Sequence, residues 1–392
     1  MGMAPYGKPL YADKIYDKLL KVADDGSFRT DMDYFSYHYS DEKMFNGRFE
    51  ELFGKARQPD AYFFTSGMKY PAYFGDKPLN YQQLCKENEY YADIAASIQR
   101  VTEEVILKLA NSLYKETGLK KLCIAGGVGL NSVANGRILR ETPFEELFIQ
   151  PAAGDSGGAA GAAWHVYHGL LNKPRNFVLE HAYWGKQYPE SEIRQFLDSN
   201  NIAYEYFSDD EKLLDRLADD LTGGKVIGWF QGRFEWGPRA LGNRSILADP
   251  RKEEMKDLVN AKIKFREPFR PFAPVILEER AADFFDCSES IIRQYPARYM
   301  LLVLPFKKEK TGSIEAVSHM GTGRLQTIKE DWNKRYYRLV KKFGEATGVP
   351  ALLNTSFNLR GEPIVTSPAN AFNTFSKSGI DVLVLENFVI RK

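Results

Sequence analysis

Two stretches of this 392-residue chain gather cationic side chains among turn-forming and aromatic residues. FQGRFEWGPRALGNRSILADPR carries Arg233, Arg239, Arg244 and Arg251 amid glycines, Pro238 and Asn243. The planar fork of arginine holds phosphate bidentately, and a turn-rich frame can aim it without helical regularity. NAKIKFREPFRPFAP adds Lys262, Lys264, Arg266 and Arg270 between Phe265, Phe269 and Phe272. Basic and aromatic residues so interleaved suit a purine ring beside a polyphosphate. Further along, GTGRLQT supplies Arg324, and LLNTSFNLRGEP supplies Asn354, Ser356 and Asn358 after an apolar run. Short polar side chains at a strand end either hold a phosphate or carbonyl oxygen or cap a turn. Any one of these charges, taken alone, is an ordinary solvated residue. With 53 basic against 52 acidic residues the whole chain carries only +1, so their clustering points to a local anion site.

An earlier pair of motifs is built on glycine. KLCIAGGVGLN reads as a strand, a glycine turn and a helix. Gly126 and Gly127 let a ligand approach the backbone at a helix N-terminus, and Asn131 is placed to bond a ribose or a phosphate. A purely structural turn explains the same residues. In QPAAGDSGGAAGAA, Asp155 lies between a strand and a helix that opens almost entirely in Gly and Ala. It either caps that helix or presents a carboxylate to a metal beside phosphate. His165 and His168 follow on the same helix, three apart. The five histidines form no HxxxH or HExxH pattern, and Cys85, Cys123 and Cys287 form no CxxC pair. Scattered cysteines imply a reducing compartment and exclude a zinc ribbon. There is no P-loop, kinase signature or G-x-S-x-G elbow, so catalysis would rest on cationic clamps and metal.

The elements that must position these residues fall into two domains, expected at residues 1–178 and 179–392 with the break near 173–185. Residues 1–85 are polar, aromatic and irregular. From Glu89 to Glu116, Ile94, Ile98, Val101, Val105, Leu109 and Leu113 recur at helical spacing, with Gly118 as the C-cap. The two strand–turn–helix units beyond it predict an α/β layer, whose ligands sit at the C-terminal ends of strands. Beyond the break, helices over PESEIRQFLDSN, 211–221, 252–262 and 329–344 alternate with KVIGWFQG, YMLLVLPF, PALLNTSF and VLVLENFVI, which predicts an α+β domain. A 44% apolar and 27% charged composition with no membrane-length apolar run reads as a soluble, cytoplasmic protein.

Together these motifs resemble the O-carbamoyltransferases of nodulation-factor, cephamycin and tobramycin biosynthesis, from Met1 to the C-terminus. The resemblance implies part of an actin-like ATPase domain followed by a YrdC-like α+β domain. It implies that carbamoyl phosphate and ATP give carbamoyl-adenylate and pyrophosphate in the second domain. The carbamoyl group then passes, in the first, to a hydroxyl of a sugar, antibiotic or polysaccharide. Residue by residue, Lys264, Arg266 and Arg270 match the basic motif, and Ser356 and Asn358 match the Ser-x-Asn motif. Arg239 and Arg324 match arginines of the ATP and carbamoyl phosphate site, with Arg244 and Asn354 counted among the nucleotide-binding residues. Gly126, Gly127 and Asn131 match the nucleotide turn. Asp155 matches a ligand of an iron-type metal, with magnesium accompanying ATP.

The departure from the family pattern concerns histidine. Family members carry HxxxH metal ligands well before an M-G-x-A-P-Y-G run, whereas this chain opens on MGMAPYGKP and has no HxxxH. The expectation is a chain that forms the adenylate but needs a missing lobe, a separately encoded partner or self-association for transfer. Threonylcarbamoylation of tRNA is disfavoured by the near-zero charge, and no nucleic-acid or membrane partner is expected. Hydrogenase-maturation carbamoylation is disfavoured by the absence of zinc-finger cysteines. A non-catalytic, nucleotide-binding subunit stands as the reading from a different class.

Overall fold

The computed structural model describes residues 1–58, 61–71 and 74–392. They divide into two compact units. The first comprises Met1–Lys120, Arg137–Glu145 and Glu267–Arg270; the second comprises Lys121–Gly136, Glu146–Arg266 and Pro271–Lys392.

The first unit is organised by one helix. Short elements precede it: helix α1 (Ala12–Lys18), an antiparallel hairpin of β1 (Leu20–Val22) and β2 (Phe28–Thr30), and helix α2 (Gly47–Phe53). Helix α3 (Tyr81–Thr117) then runs for 37 residues and ends on Gly118 at φ +63°, the left-handed cap expected from sequence. It starts two turns before the predicted Glu89, because its first buried positions, Cys85 and Asn88, carry no strong apolar signal. Its packing face also differs from the predicted stripe. Val101 and Val105 join Ala12, Ile15, Leu19 and Phe53 in a core, whereas Ile98, Leu109 and Leu113 are exposed. Small residues do the close packing instead. A Cβ on Gly7 would lie 2.1 Å from the carbonyl carbon of Ala92, so the APY turn and Gly7 can seat on α3 only without a side chain there.

The second unit contains the two glycine motifs. Strands β3 (Lys121–Cys123) and β4 (Glu146–Phe148) pair in parallel, and each leads through a turn to a helix, α4 (Ser132–Glu141) and α5 (Gly157–Trp164). This is the strand–turn–helix order predicted, with α5 continuing as a π turn over His165–Leu170. The division after residue 178 is not where compactness cuts the chain. Asn135 donates to the carbonyl of Leu301 at 3.1 Å, the Leu147 amide donates to Gln294 at 2.9 Å, and Phe148 meets Tyr295 edge-on. Those contacts group residues 121–136 and 146–178 with the chain beyond residue 178.

A nine-stranded mixed sheet makes the rest of this unit. Its strands are β5 (Glu205–Tyr206), β6 (Ile227–Phe230), β7 (Arg244–Ala248), β8 (Ala273–Leu277), β9 (Leu302–Pro305), β10 (Thr322–Ile328), β11 (Ala351–Ser356), β12 (Val382–Leu385) and β13 (Phe388–Arg391). The order across the sheet is β5-β13-β12-β6-β7-β11-β8-β10-β9, antiparallel except for β12–β6 and β8–β10. VLVLENFVI, read from sequence as one run, is therefore a hairpin, turning at Glu386 with φ +51°. Helices α6 (Glu190–Ser199) and α7 (Asp210–Thr222) precede β6. Helix α8 (Glu253–Val259) follows β7, α9 (Glu289–Ile292) and α10 (Tyr295–Arg298) precede β9, and α11 (Lys334–Thr347) and α12 (Pro368–Ser376) flank β11.

Helical spacing explains the core of this unit. Leu213, Leu214, Leu217 and Leu221 of α7 and Tyr336, Leu339, Val340 and Phe343 of α11 are fully buried with Trp229, Leu247, Val275, Ile328 and Leu352 of the sheet. Each such aliphatic side chain contributes roughly 1.5–3 kcal/mol on burial.

Candidate functional site

The sheet face under α7 and α11 changes character along its strands. Strand period two puts Ile328, Gln326 and Arg324 of β10 on one face, and likewise Leu352, Asn354 and Ser356 of β11. Val275 of β8 pairs with both Gln326 and Leu352, so the two rows share a face. That face is apolar at Ile328, Val275 and Leu352 and polar from Gln326 and Asn354 onward. Two loops reach the polar end: 231–243, which joins β6 to β7, and the segment that enters β8 at Ala273, the register partner of Asn354.

Three cations meet here. Arg324 feels burial first and then repulsion from Arg239 and Arg266, which together push its guanidinium pKa well below the usual range. Burial alone lowers Arg239. The Nε atoms of Arg239 and Arg324 are buried without a hydrogen-bond partner, and neither residue has a carboxylate partner among the described residues. Arg266 donates to Asn260 Oδ1 at 2.8 Å and lies 4.5 Å over the ring of Phe272. Like charges gathered in one partly buried site cost free energy, which a bound anion would relieve.

Lys264 supplies a fourth cation. Helix α8 runs into a π turn over Asn260–Lys264, and Phe265 at φ +47° ends it in a region that bulky side chains rarely occupy. Lys264 is 4% exposed. Its Nζ donates to the Ser356 carbonyl, to Asn358 Oδ1 at 2.8 Å and to the Asn358 carbonyl at 3.0 Å, with Ser356 Oγ at 3.2 Å. Burial and then Arg266 drive its pKa far down, opposed by Glu362. All the oxygens around it accept hydrogen bonds, which holds an ammonium and not a free amine. Ser356 Oγ in turn donates to Asn358 Oδ1 at 2.7 Å, so Lys264, Ser356 and Asn358 act as one unit.

Asn354 is 1% exposed and donates to Gln326 Oε1 at 2.6 Å and to the Ala240 carbonyl at 3.2 Å. Its own Oδ1 is buried and unpaired. It therefore braces the loop of Arg239 from the sheet.

Other predicted residues sit apart from this cluster. Arg244 is fully buried, donates to the carbonyls of Gln231, Gly232, Asn243 and Lys186, and stacks 3.6 Å from the Phe230 ring. Burial pushes it down to about 10. Its two terminal nitrogens are bonded to backbone oxygens, which braces the loop, while its Nε is buried without a hydrogen-bond partner. Arg270 belongs to the first unit, where it pairs with Glu267 at 2.9 Å. Arg251 is held by Asp249, and Arg233 is exposed.

The glycine turns do come together. The Gly126 amide donates to the Ala153 carbonyl at 2.7 Å, Gly126 has φ +102°, and a Cβ on Gly154 would lie 3.8 Å from Gly127 Cα. Asn131 accepts from the Ala134 amide at 3.3 Å, which caps α4 and favours the structural explanation for it. Asp155 makes no side-chain cap on α5 and is exposed. Among the described residues no three His, Cys, Asp or Glu side chains gather as a metal site. His168 Nδ1 donates to the Lys173 carbonyl, 2.9 Å away, on an exposed turn.

Three residues at the cluster escaped the sequence reading. Glu235 is the one acid between Gln231 and Ala248, and an acid inside a basic run is a signal that could have marked it. Gln326 follows Arg324 at strand period two. Lys256 lies on α8 one turn before Asn260; burial lowers its pKa, Arg266 adds to this, and Asp257 and Glu253 oppose it.

Comparison with known sequences now decides the family. The profile of the carbamoyltransferase N-terminus matches residues 1–164, and that of the carbamoyltransferase C-terminus matches residues 218–392. The chain belongs to the carbamoyltransferase family. Among its relatives, an uncharacterized protein of Synechocystis is 42% identical over 100% of this chain and 63% of its own length. Nodulation protein NolNO of Sinorhizobium fredii is 36% identical over 100% of this chain and 52% of its own. Nodulation protein NolO of Bradyrhizobium diazoefficiens is 36% identical over 100% of this chain and 65% of its own. The chain thus spans between half and two thirds of the length of these relatives. Among solved structures, full-length HypF in a phosphate- and nucleotide-bound form aligns at 17% identity with a TM-score of 0.33, covering 48% of this chain and 23% of that one. A likeness that loose carries no argument; the mixed α/β architecture rests on the strands and helices described above. Among the described residues no helix is long and apolar enough to cross a membrane.

Proposed function

We propose that this chain forms carbamoyl-adenylate from carbamoyl phosphate and ATP, as the first half of an O-carbamoyl transfer to a hydroxyl acceptor. The observation that carries the reading is the convergence of Arg239, Arg266 and Arg324 beside Lys264, with no carboxylate ion pair to Arg239, Arg324 or Lys264 among the described residues. Atom balance shows why such a site is needed. Water releases phosphate from carbamoyl phosphate, the freed carbamate oxygen attacks the α-phosphorus of ATP, and pyrophosphate leaves. Apart from water, every reactant and both leaving groups are anions. Fixed guanidinium groups stabilise the charge that develops on the departing phosphates without reorganising at the moment of reaction. Lys264, locked by Ser356 and Asn358, adds a point charge at a set position.

Residues 179–392 are read as the YrdC-like adenylating module, and the glycine turns with Asp155, within residues 1–178, as part of an actin-like transfer site. The transfer step would use a divalent metal and ligands from a partner chain or a second copy, with ATP carried by magnesium. The test is ATP–pyrophosphate exchange by the purified chain. Exchange that depends on carbamoyl phosphate, with acceptor carbamoylation absent until a partner chain is added, supports the reading. Absence of exchange at saturating carbamoyl phosphate and magnesium overturns it.

A further inference from the structure

The loop that carries Arg239 is held from both sides. Three successive carbonyls are tied down by side chains of the second unit: Ala240 by Asn354 at 3.2 Å, Leu241 by Gln326 at 2.7 Å and Tyr183 at 2.8 Å, and Gly242 by the Trp229 indole at 2.8 Å. Its amides converge instead on one carboxylate oxygen. Glu235 Oε1 accepts from the amides of Leu241 at 2.8 Å, Asn243 at 2.7 Å and Arg244 at 3.1 Å. Glu235 is 3% exposed, and its backbone is pinned by a bridge to Tyr183. Its other oxygen, Oε2, is buried and makes no hydrogen bond. The chain from 235 to 244 is therefore a closed arch around a single acceptor, with Arg239 near its crown.

Resting on the anion-site reading, we infer that Glu235 is the positioning residue of Arg239. It touches no substrate; it fixes the backbone so that a guanidinium with no carboxylate partner among the described residues stays beside Arg324. Without the ligand, repulsion between the two arginines drives them apart, and the arch opposes that movement. Charge-assisted bonds from three amides to a carboxylate are the strong kind, and a neutral amide in its place keeps the shape but weakens each one.

The test is a double-mutant cycle on the full chain, with inorganic pyrophosphate as the probe and calorimetry as the readout. Arg239→Ala is expected to weaken pyrophosphate binding roughly thirtyfold, and Glu235→Gln about five- to tenfold. In the Arg239→Ala background, Glu235→Gln should change affinity by less than about twofold, because its whole effect passes through that side chain. Hydrogen exchange at the amides of Leu241, Asn243 and Arg244 should quicken in Glu235→Gln, which also serves where Glu235→Ala fails to fold. Additive losses in the cycle, or wild-type affinity in Glu235→Gln, overturn the assignment. A wild-type chain that binds no pyrophosphate while those amides remain protected sinks the anion-site reading, and the positioning role with it.

Discussion

The two regions that looked from sequence like anion sites have different physical contents. Around Arg324 the fold brings cations together, half-buries them and leaves Arg239 and Arg324 without a carboxylate partner among the described residues. Around Gly126 and Gly127 it brings two turns into contact, yet the polar side chain nearest the helix start, Asn131, is committed to a cap. The contrast shows how to tell a site from a turn. Glycine marks where a ligand could approach, whereas electrostatic tension that nothing in the protein relieves marks where one is needed.

The largest expected effect separates the regions directly. Arg324→Ala should lower carbamoyl-phosphate-dependent pyrophosphate exchange by about 10²–10³, the loss typical of one oriented donor to transition-state charge. Asp155→Asn should leave exchange within about twofold. Equal loss in both variants would erase the distinction.

A second experiment strikes the arch through its backbone. Gly242 has φ +112°, and a Cβ there would lie 2.1 Å from the Tyr336 ring. Gly242→Ala is therefore expected to destabilise the second unit by about 2–4 kcal/mol, read by urea unfolding. Stability unchanged within about 0.5 kcal/mol would mean that the loop carrying Arg239 is looser than its contacts imply.

These contrasts also explain what was legible in the sequence. Lys264, Ser356, Asn358, Arg239, Arg266 and Arg324 were all visible as charged or short polar residues beside strands. Leu213, Leu217, Leu339 and Phe343 were visible through helical spacing. The commitment of each donor was not. Arg244 has the same side chain as Arg324 and lies in the same kind of stretch, but sheet register buries it against Phe230 and backbone oxygens. Glu235 acts on amides six to nine residues away, and no periodicity encodes a carboxylate that closes a loop. The face of α3 departs from the periodic stripe for a related reason. Alanines and Gly7 allow close approach there, and close approach can bury less apolar area than the exposed Leu109 and Leu113 would offer.

Asn131 offers a finer test of the comparison. As a cap on α4, Asn131→Ala should cost about 1 kcal/mol of stability, and Asn131→Asp should restore most of it. Pyrophosphate exchange should be unaffected in both. A tenfold fall in exchange with stability intact would make the glycine turn a ligand site and dissolve the contrast with the Arg324 cluster.

The smallest effect concerns pH. His181 stacks 4.8 Å from Trp184 at 20° and close to Tyr183, in the strand-like run that pins Glu235. Burial lowers its pKa below the ordinary 6.5, with Glu180 opposing. In the unfolded chain His181 takes a proton as pH falls through that ordinary value, while in the folded chain it resists. The unfolded state then binds more protons, so stability rises with pH across this window and is lost on acidification. The fall ceases below the folded pKa, where both states are protonated. His181→Phe keeps the stacking and removes the titration, so its melting temperature should drop less than wild type between pH 7 and pH 5, by about 1–2 °C. Because His181 is half exposed to solvent screening, a larger difference would signal a more deeply buried ring, and a smaller one a partner for the imidazolium in the folded protein. Parallel melting curves for the two proteins would show that the Trp184 stack, and not burial of the ring, governs this edge of the arch.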